Sequence, residues 1–528
     1  MLFNSYEFIL VFLPVSFLGF YWLARWGIEP ALVWLVIASL FFYGWWNPAY
    51  LLLIVASMVA NFVIGRLLSR FRQTSKPFAK RATLVTGIGI NLGVLAYYKY
   101  AGFLAANINA AFGSHLAFGE IVLPLAISFF TFQQIAYLVD AYQGITKEYR
   151  FSHYALFVTF FPQLIAGPIV HHGEMLPQFM RAENLKPRVA NLSIGVSIFA
   201  IGLFKKAVLA DGVAQYATPV FLSAAAGQEI SFFEAWGGAL AYTCQLYFDF
   251  SGYSDMAIGA ARMFGIRLPL NFHSPYKATN ITEFWRRWHM TLSRFLRDYL
   301  YIPLGGNRRG RARRYQNLMV TMLLGGLWHG AGWTFVAWGA LHGAYLVINH
   351  AWHKVRKMSG RWLAGPSVVG RFASWMLTFV AVVVGWVFFR ASDFDAAMHM
   401  LAGMSGLNGI SIPNAIYARL GPLADVLGNL GITSHLGQGR QFVFTYLWVI
   451  GLLTIALIMP NTQQIMRRYR PALAGHRTPP GAGITIGKRL FQRLFWRPTT
   501  LWAVAIGAIA ALGFMALTSV SEFLYFQF

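Results

Sequence analysis

The sequence predicts an all-α protein that crosses a membrane many times. Of its 528 residues, 57% are hydrophobic and only 12% are charged, whereas a soluble domain carries roughly 25% charged residues. The apolar runs are continuous and about 20 residues long, which is the length of a spanning helix. Strands of a membrane barrel would alternate in polarity instead. We therefore expect one membrane-embedded domain over residues 1–528, with about 11 transmembrane helices.

The first five spans are predicted before residue 141. They are 8–24, 31–46, 49–65, 83–103 and 121–140. The first has no basic residue before Arg25 and no cleavage-site pattern, so we expect it to be retained rather than removed as a signal peptide. The loop 66–81 carries six basic residues and no acid, which indicates a cytoplasmic location. Counting back three spans from this loop places the N-terminus outside.

The segment 153–185 departs from this regular pattern. Its stretch LFVTFFPQLIAGPIVHHGEM places two prolines and two histidines in an apolar context. Irregular backbone at membrane depth persists only where protein or a water-filled cavity shields it, so a re-entrant segment is predicted. His171, His172 and Glu174 could suggest a metal site, but no matched second cluster follows them. We expect no bound metal.

The second half of the chain contains the other predicted spans. They are 191–209, 235–264, 316–348 (as one or two helices), 372–389, 442–460 and 500–519. The first of these is expected to end near Lys205 and Lys206. The segment 391–441 has only two basic residues and is predicted to be extracytoplasmic, whereas the loop 461–499 has eight and is predicted to be cytoplasmic. The C-terminus then lies outside, like the N-terminus.

The net charge of +25 follows the same rule. Three basic blocks, 66–81, 286–314 and 461–499, all fall on one side of this topology. Basic residues confined to the loops between spans indicate membrane orientation, and they give no reason to expect a nucleic-acid partner.

Two acids lie inside the apolar run TCQLYFDFSGYSDMAIG. Asp249 and Asp255 are costly at such a position unless they have a partner or face a cavity. One interpretation is that they cap helix ends beside Ser251. The other is that they line a polar tunnel, and the sequence leaves both open.

The stretch from Asn280 to His329 carries the most unusual chemistry. Asn280 followed by Glu283 resembles a capping box, so a helix is predicted to begin there and to extend over about 281–300. Its apolar arc comprises Phe284, Trp285, Trp288, Leu292, Phe295, Leu296 and Tyr299. Its polar arc comprises Arg286, Arg287, Arg294 and Arg297. Such a helix is too charged to span the membrane and is expected in the cytoplasmic interface, with His289 pointing inward.

A basic loop follows this helix within YIPLGGNRRGRARR. Its arginines are Arg308, Arg309, Arg311, Arg313 and Arg314. The guanidinium group pairs well with phosphate through its forked donors. The loop could bind the pyrophosphate of a coenzyme A thioester or the headgroups of anionic lipids, and the residues alone do not decide between them.

His329 lies in the apolar stretch LLGGLWHGAGWTF. A histidine inside an apolar helix is a functional candidate, and burial keeps the imidazole neutral, as a general base requires. The structural alternative is an interhelical hydrogen bond, which is the role expected for His342. The neighbouring glycines leave room either for a ligand or for close helix packing.

These motifs together resemble the membrane-bound O-acyltransferase family, in particular its bacterial branch that O-acetylates alginate. The resemblance is carried by FWRRWHMTLSRFLRDYLYIPLGGNRRG, LLGGLWHGAGWTFVAWGALHG, AYTCQLYFDFSGYSDMAIG, FFPQLIAGPI and WVFFRA, and it extends from residue 1 to about 395. It implies a ring of helices around a thin tunnel, with the core over 83–350. It also implies that His329 is the essential histidine and His289 the second site residue. Side chains expected to line the tunnel are Trp285, Trp288, Gln245, Asp249, Ser251, Asp255 and Trp328.

The resemblance implies transfer of an acetyl group across the bacterial inner membrane. The expected donor is cytoplasmic acetyl-CoA, used as a substrate and not as a bound cofactor. His329 would deprotonate the acceptor hydroxyl or assist attack on the thioester, and His289 would orient or polarise the acyl carbonyl. The chain shows no extracytoplasmic Ser-His-Asp site, so a separate periplasmic acetyltransferase of the SGNH type is expected to complete transfer to an exopolysaccharide such as alginate, as part of its export machinery.

Three other activities are alternatives to polysaccharide O-acetylation. A polysaccharide or lipid transporter often shows repeated halves, and none is evident here. A glycosyltransferase needs acids on an outer loop, where only scattered ones occur. Transfer of D-alanine to a cell-wall polymer would use a carrier protein as the donor, and the sequence does not exclude it.

Overall fold

Helix α11, Phe232–Met263, runs through the centre of the protein and organises the packing of its neighbours. Its 32 residues correspond to a length of about 48 Å. Every residue from 241 to 263 is buried, so this helix is covered on all sides rather than along one stripe. The computed structural model describes residues 1–73, 76–119, 121–146, 150–358, 367–473 and 494–518.

The described chain is almost entirely helical. Before α11 the helices are α1 Leu13–Leu23, α2 Ile28–Gly44, α3 Ala49–Gln73, α4 Pro77–Phe112, α5 Ile127–Gln143, α6 Phe151–Thr159, α7 Phe161–Leu164, α8 His172–Phe179, α9 Val189–Phe204 and α10 Asp211–Ala225. After it come α12 Ile281–Trp285, α13 Met290–Leu296, α14 Gly310–His329, α15 Trp333–Met358, α16 Val368–Arg390, α17 Phe394–Met404, α18 Asn414–Tyr417, α19 Pro422–Asn429, α20 Gly439–Ile458, α21 Thr462–Ile465 and α22 Thr500–Met515. Two short strands, β1 Ile410–Pro413 and β2 Ile432–His435, pair in parallel.

Six helical segments of the described chain are long and apolar enough to cross a membrane. They are Glu7–Trp26, Ala49–Arg72, Val189–Ala225, Val368–Arg390, Gly439–Ile458 and Thr500–Thr518. Helices α2 and α5 have only 17 residues each, and α4, α11, α14 and α15 are longer helices with more polar residues. The all-α membrane fold predicted from the composition is confirmed. The total of about 11 spans stays a prediction.

The contact between α9 and α11 is close because glycines meet across it. A Cβ added at Gly259 of α11 would lie 2.6 Å from the carbonyl oxygen of Gly195 in α9. A Cβ added at Gly252 would lie 2.8 Å from the carbonyl oxygen of Gly202. Small residues let membrane helices approach until their backbones touch, so these two glycine pairs fix where α9 crosses α11.

The span predicted to end near Lys205 and Lys206 does not end there. A π-helical turn, Lys205–Ala210, joins α9 to α10, and one apolar segment continues from residue 189 to 225. An extra residue in the turn of a helix redirects the side chains beside it. Both lysines therefore lie along the middle of a long helix, where Lys206 is fully buried.

The irregular backbone predicted over residues 153–185 is present. Three short helices, α6 to α8, are separated by non-helical residues, and most of their side chains are buried within the protein. This agrees with the requirement that irregular backbone in a membrane protein be shielded. The predicted outer segment 391–441 contains α17 to α19 and both strands. Of the predicted cytoplasmic loop 461–499, residues 474–493 lie outside the described residues, as do Lys147 and the C-terminal residues 519–528.

Candidate active site

The interfacial helix predicted over 281–300 is broken at His289, so the prediction of one continuous helix was wrong. Helix α12 ends at Trp285, a turn follows, and α13 begins at Met290. The predicted start is confirmed, because the Asn280 side chain accepts a hydrogen bond from the Glu283 amide at 2.9 Å. The reciprocal half of the capping box differs, since the Glu283 carboxylate accepts from the Thr279 amide.

The break places His289 in an unusual backbone conformation. Its φ of +41° lies in the left-handed region, which a bulky side chain adopts only when its surroundings require it. Asn271 provides that constraint, because its carbonyl accepts from the Met290 amide at 2.9 Å. His289 is only 1% exposed. The strain thus turns the imidazole into the protein interior, where the sequence predicted it to point.

The Asn271 side chain also selects the tautomer of His289. Asn271 Oδ1 accepts from the Thr291 hydroxyl at 2.9 Å and lies 3.4 Å from the Thr291 amide, so this atom is an acceptor. Nδ1 of His289, 3.0 Å away, must then donate to it. In the neutral ring the lone pair is on Nε2, which is buried and contacts no hydrogen-bonding group of the described residues. Neutral His289 can therefore accept a proton or a hydrogen bond through Nε2. The predicted polarisation of an acyl carbonyl would need an N–H donor at Nε2, which the neutral ring in this tautomer lacks.

His329 is the last residue of α14 and lies beside His289. The two imidazole centroids are 6.4 Å apart. Aromatic rings enclose His329, with the ring centres of Trp328, Trp338 and Phe389 at 4.9, 5.1 and 5.1 Å. The residue is 6% exposed. The two imidazoles are therefore close neighbours, in surroundings from which bulk water is largely excluded.

The glycines around His329 serve close helix packing. A Cβ at Gly326 would lie 2.2 Å from the Phe335 carbonyl oxygen, and one at Gly330 would lie 2.1 Å from the Phe335 ring. The alternative that these two glycines leave room for a ligand is therefore not supported. They bring α15 against α14 and so fix the position of the helix end that carries His329.

A cavity of about 680 Å³ lies beside this pair and is lined by Met290 and Thr291, which directly follow His289. Its wall includes Trp285, Thr321 and Met322, the last two being about two helical turns before His329 on α14. Its arginines are Arg286, Arg287, Arg294, Arg297 and Arg314. Ligand sites commonly enclose roughly 300–1,000 Å³, so this cavity has the volume for an extended small molecule or a cofactor-sized donor.

Two of these five arginines are available to a ligand. Arg287 pairs with Glu283 at 2.7 Å, Arg294 pairs with Glu174 at 2.6 Å, and Arg297 pairs with Asp298. Arg286 and Arg314 form no ion pair with a carboxylate of the described residues. An anion that enters the cavity therefore meets two guanidinium groups whose charge is not paired with a carboxylate of the described residues.

The predicted donor-binding arginines lie mostly outside this cavity. Arg314 lines it, whereas Arg308, Arg309, Arg311 and Arg313 are exposed in the turn before α14 and in its first residues. The four arginines of the predicted polar arc, Arg286, Arg287, Arg294 and Arg297, all line this cavity and lie on both sides of the break at His289.

Two much smaller cavities adjoin His329. One, of about 30 Å³, is lined by Lys99, Ser128 and Trp328 as well as His329. The other, of about 10 Å³, is lined by Trp288, Trp338 and Phe389 together with His329. Of the predicted tunnel residues, Trp285 lines the large cavity, and Trp288 and Trp328 line the small cavities beside His329.

The acids predicted to cap helices or line the tunnel pair instead with the two lysines of the π turn. Lys206 lies 2.7 Å from Asp249 and 2.6 Å from Asp211, and Lys205 lies 2.9 Å from Asp255. Helix α11 continues past both of its acids, so neither caps a helix end. Ser251 and Asp255 line a separate cavity of about 10 Å³ whose wall does not include His329, and Gln245 is buried within α11.

The other candidate histidines have individual surroundings. His171 lies 3.1 Å from the Tyr299 hydroxyl, His172 packs against Tyr137, and the carboxylate of Glu174 is held by Arg294. His342 does not form the interhelical hydrogen bond expected of it, since neither ring nitrogen has a partner among the described residues.

A helical membrane protein with two buried imidazoles beside a cationic cavity has the components of a transferase that handles an anionic donor. The sequence profile of the membrane-bound O-acyltransferase family matches residues 140–387. The chain is 47% identical to the peptidoglycan O-acetyltransferase of Helicobacter pylori, over 78% of this chain and 81% of that protein. It is 38% identical to the probable alginate O-acetylase AlgI of Pseudomonas putida over 100% of both chains. At 30% identity it is similar to the teichoic acid D-alanyltransferase of Streptococcus thermophilus, over 48% of this chain and 67% of that protein.

The chain belongs to the membrane-bound O-acyltransferase family. It is a membrane-bound acyltransferase with many helical passes, as the sequence motifs predicted. This family membership favours an enzyme over the transporter and glycosyltransferase alternatives.

Proposed function

We propose that this acyltransferase O-acetylates a polysaccharide by moving acetyl groups from cytoplasmic acetyl-CoA across the bacterial inner membrane. The observation that carries the proposal is the pair of buried imidazoles, 6.4 Å apart, beside an arginine-lined cavity of about 680 Å³. The relatives named as O-acetyltransferases of peptidoglycan and of alginate support acetyl as the group and a glycan as the final acceptor.

The donor occupies the arginine-lined cavity in this proposal. Arg286 and Arg314 contact its phosphates, because both line the cavity and neither pairs with an acid of the described residues. Arg308, Arg309, Arg311 and Arg313 are exposed near the cavity and act at longer range, by attracting the anion. The thioester end then extends past Trp285 towards the histidines.

The two histidines have separate roles. His329 removes the proton from the acceptor hydroxyl, and the hydroxyl oxygen forms a bond to the thioester carbon. The carbon–sulfur bond then breaks, and the coenzyme A thiolate leaves with the proton taken from His329. Before the reaction His289 accepts the hydrogen bond of this hydroxyl through Nε2, which is the role open to the tautomer that Asn271 selects. The O–H then turns to His329, which takes its proton. Neutral imidazoles suit both tasks.

The orientation follows the distribution of basic residues. The arginine-lined cavity faces the cytoplasm, and residues 391–441 and both termini face the periplasm. The acceptor on the periplasmic side is an SGNH-type acetyltransferase of the polysaccharide assembly, or the exopolysaccharide itself.

Purified protein in lipid vesicles, supplied with radiolabelled acetyl-CoA, tests this proposal. We expect label to appear on a polysaccharide or on the periplasmic partner, and only when donor is added at the face that carries the basic loops. Transfer of D-alanine from a charged carrier protein, without transfer from acetyl-CoA, would instead favour the second candidate function, which the D-alanyltransferase relative supports. Labelling of 405–435 by an impermeant thiol reagent, after cysteine substitution there, tests the orientation separately.

A further inference from the structure

The end of α14 that carries His329 is held by two consecutive side chains of α4. The last four carbonyls of a helix have no amide partner within the helix and must be satisfied elsewhere, above all inside a membrane. The Tyr100 hydroxyl donates to the Leu327 carbonyl at 2.6 Å. The Lys99 ammonium donates to the carbonyls of Trp328 at 2.5 Å and of His329 at 3.1 Å.

These bonds complete the hydrogen bonding of the helix end. The remaining carbonyl, that of Gly326, accepts from the Gly330 amide at 3.3 Å. All four terminal carbonyls are thus occupied, and three of them depend on Lys99 and Tyr100. Lys99 therefore stabilises this end through the geometry of its N–H donors.

Lys99 also lies at the small cavity on one side of His329. The third oxygen near its ammonium is the Ser128 hydroxyl, at 3.4 Å, and all three oxygens are neutral. Lys99, Ser128 and His329 line the same cavity of about 30 Å³. The cation that holds the carbonyl of His329 therefore lies next to the space that the His329 imidazole borders.

We propose that Lys99 is a positioning residue for His329, which holds the end of α14 so that the imidazole stays at its working distance from His289. The proposal rests on the acyl transfer proposed above. A displacement of a catalytic group by about 1 Å is enough to slow a reaction about 100-fold, so loss of this anchor acts on the chemical step. Donor affinity is set elsewhere, in the arginine-lined cavity, whose wall does not include Lys99.

The test compares Lys99→Met, Lys99→Gln and Lys99→Arg in purified, folded protein with radiolabelled acetyl-CoA. We expect kcat to fall about 10- to 100-fold in Lys99→Met while KM for the donor stays unchanged. Lys99→Arg should recover most of kcat, because the guanidinium can reach both carbonyls and the cavity beside it gives it room. Lys99→Gln, which donates without a charge, should fall between them. Lys80→Met is the matched control, because Lys80 is on the same helix but lies over the ring of Tyr142.

Two results would overturn this inference: wild-type kcat in both Lys99→Met and Lys99→Gln, or a loss confined to donor KM. Should Lys99→Met fail to accumulate, the comparison of Gln with Arg decides by the same criteria.

A second readout is independent of the donor, namely the rate at which diethyl pyrocarbonate modifies His329, followed by mass spectrometry. We expect this rate to change several-fold in Lys99→Met and to be unchanged in Lys80→Met. If wild-type protein transfers no acetyl group, the proposed function fails, yet the modification rates still support or contradict the role of Lys99.

Discussion

Two groups of buried polar residues lie within the helical core, and they differ in what satisfies them. In the lysine–aspartate network, Lys206 bridges Asp211 and Asp249, and Lys205 pairs with Asp255. In the histidine pair, His289 Nε2 contacts no hydrogen-bonding group of the described residues, and His329 borders two small cavities. The charges of the network are paired within the chain, whereas Nε2 of His289 keeps hydrogen-bonding capacity for something that is not part of the chain.

This difference separates structural from functional polar groups. A polar residue at membrane depth is a functional candidate by default, and both groups met that criterion in the sequence. The structure adds the second criterion, which is whether a partner of opposite charge lies within reach. By that criterion the network has the structural task of linking α9, α10 and α11, and the histidine pair is the candidate site for the chemistry. The following substitutions test the distinction, in order of decreasing expected effect.

Replacing His329 by Gln should have the largest effect on activity. Glutamine is similar in size and forms hydrogen bonds, but it cannot take up a proton at neutral pH. General-base assistance contributes typically 10²–10⁴-fold to a rate, so acetyl transfer should fall by about that factor. Abundance and melting temperature should stay close to wild type. If the purified variant transferred acetyl groups at the wild-type rate, His329 would be a structural residue, and the distinction between the two polar groups would fail.

Replacing Lys206 by Met should have the largest effect on stability. Lys206 is fully buried, and its loss leaves the carboxylates of Asp211 and Asp249 without their cation. Breaking a buried ion pair in this way costs about 3–5 kcal/mol. Denaturation in detergent should show a marked loss of stability, and the variant that still folds should keep the wild-type KM for the donor. Lys186→Met, at an exposed position, is the control. A Lys206→Met variant that is stable but inactive would show that the lysine–aspartate network takes part in the activity.

Replacing the arginines that line the cavity should weaken donor binding by an intermediate amount. A hydrogen bond to a charged group contributes about 1.5 kcal/mol or more, so Arg286→Gln or Arg314→Gln should each raise the donor KM about tenfold. Arg308→Gln and Arg311→Gln are exposed controls whose smaller effect should disappear at high salt, because screened long-range attraction is all they contribute. Equal, salt-independent effects at all four positions would show that the cavity is not where the phosphates bind.

The sequence was sufficient for the helical membrane fold, and it singled out two histidines, His289 and His329, whose rings the structure places side by side. Continuous apolar runs and isolated polar residues within them report directly on the cost of burial in a membrane. The sequence was insufficient where an outcome depends on partners distant along the chain. The pairing of Asp249 with Lys206 joins helices 43 residues apart in sequence (249 minus 206), and no local pattern indicates it.

Backbone irregularity was the second limit. The pattern over 281–300 is that of a regular amphipathic helix, yet a bond from Met290 to Asn271 breaks it at His289 and turns the adjacent arginines into the cavity. The role of Lys99 was missed for a related reason. A lone lysine in a predicted span gives no sign of which helix end its ammonium satisfies, because that depends on where the carbonyls of α14 lie.

Replacing His289 by Asn should have the smallest effect of the four and tests the role of its Nε2. Asparagine is the appropriate replacement because it tolerates a left-handed backbone, so the φ of +41° can persist and the turn between α12 and α13 is kept. Its amide oxygen can still accept a hydrogen bond from the acceptor hydroxyl, although the shorter side chain reaches it less well. Loss of a neutral hydrogen bond costs about 0.5–1.5 kcal/mol, so kcat should fall roughly two- to tenfold, with the donor KM unchanged. His289→Leu, which accepts nothing and strains the turn, should be far slower. If His289→Asn falls as far as His329→Gln, then His289 itself takes the proton, and the two histidines exchange the roles proposed here.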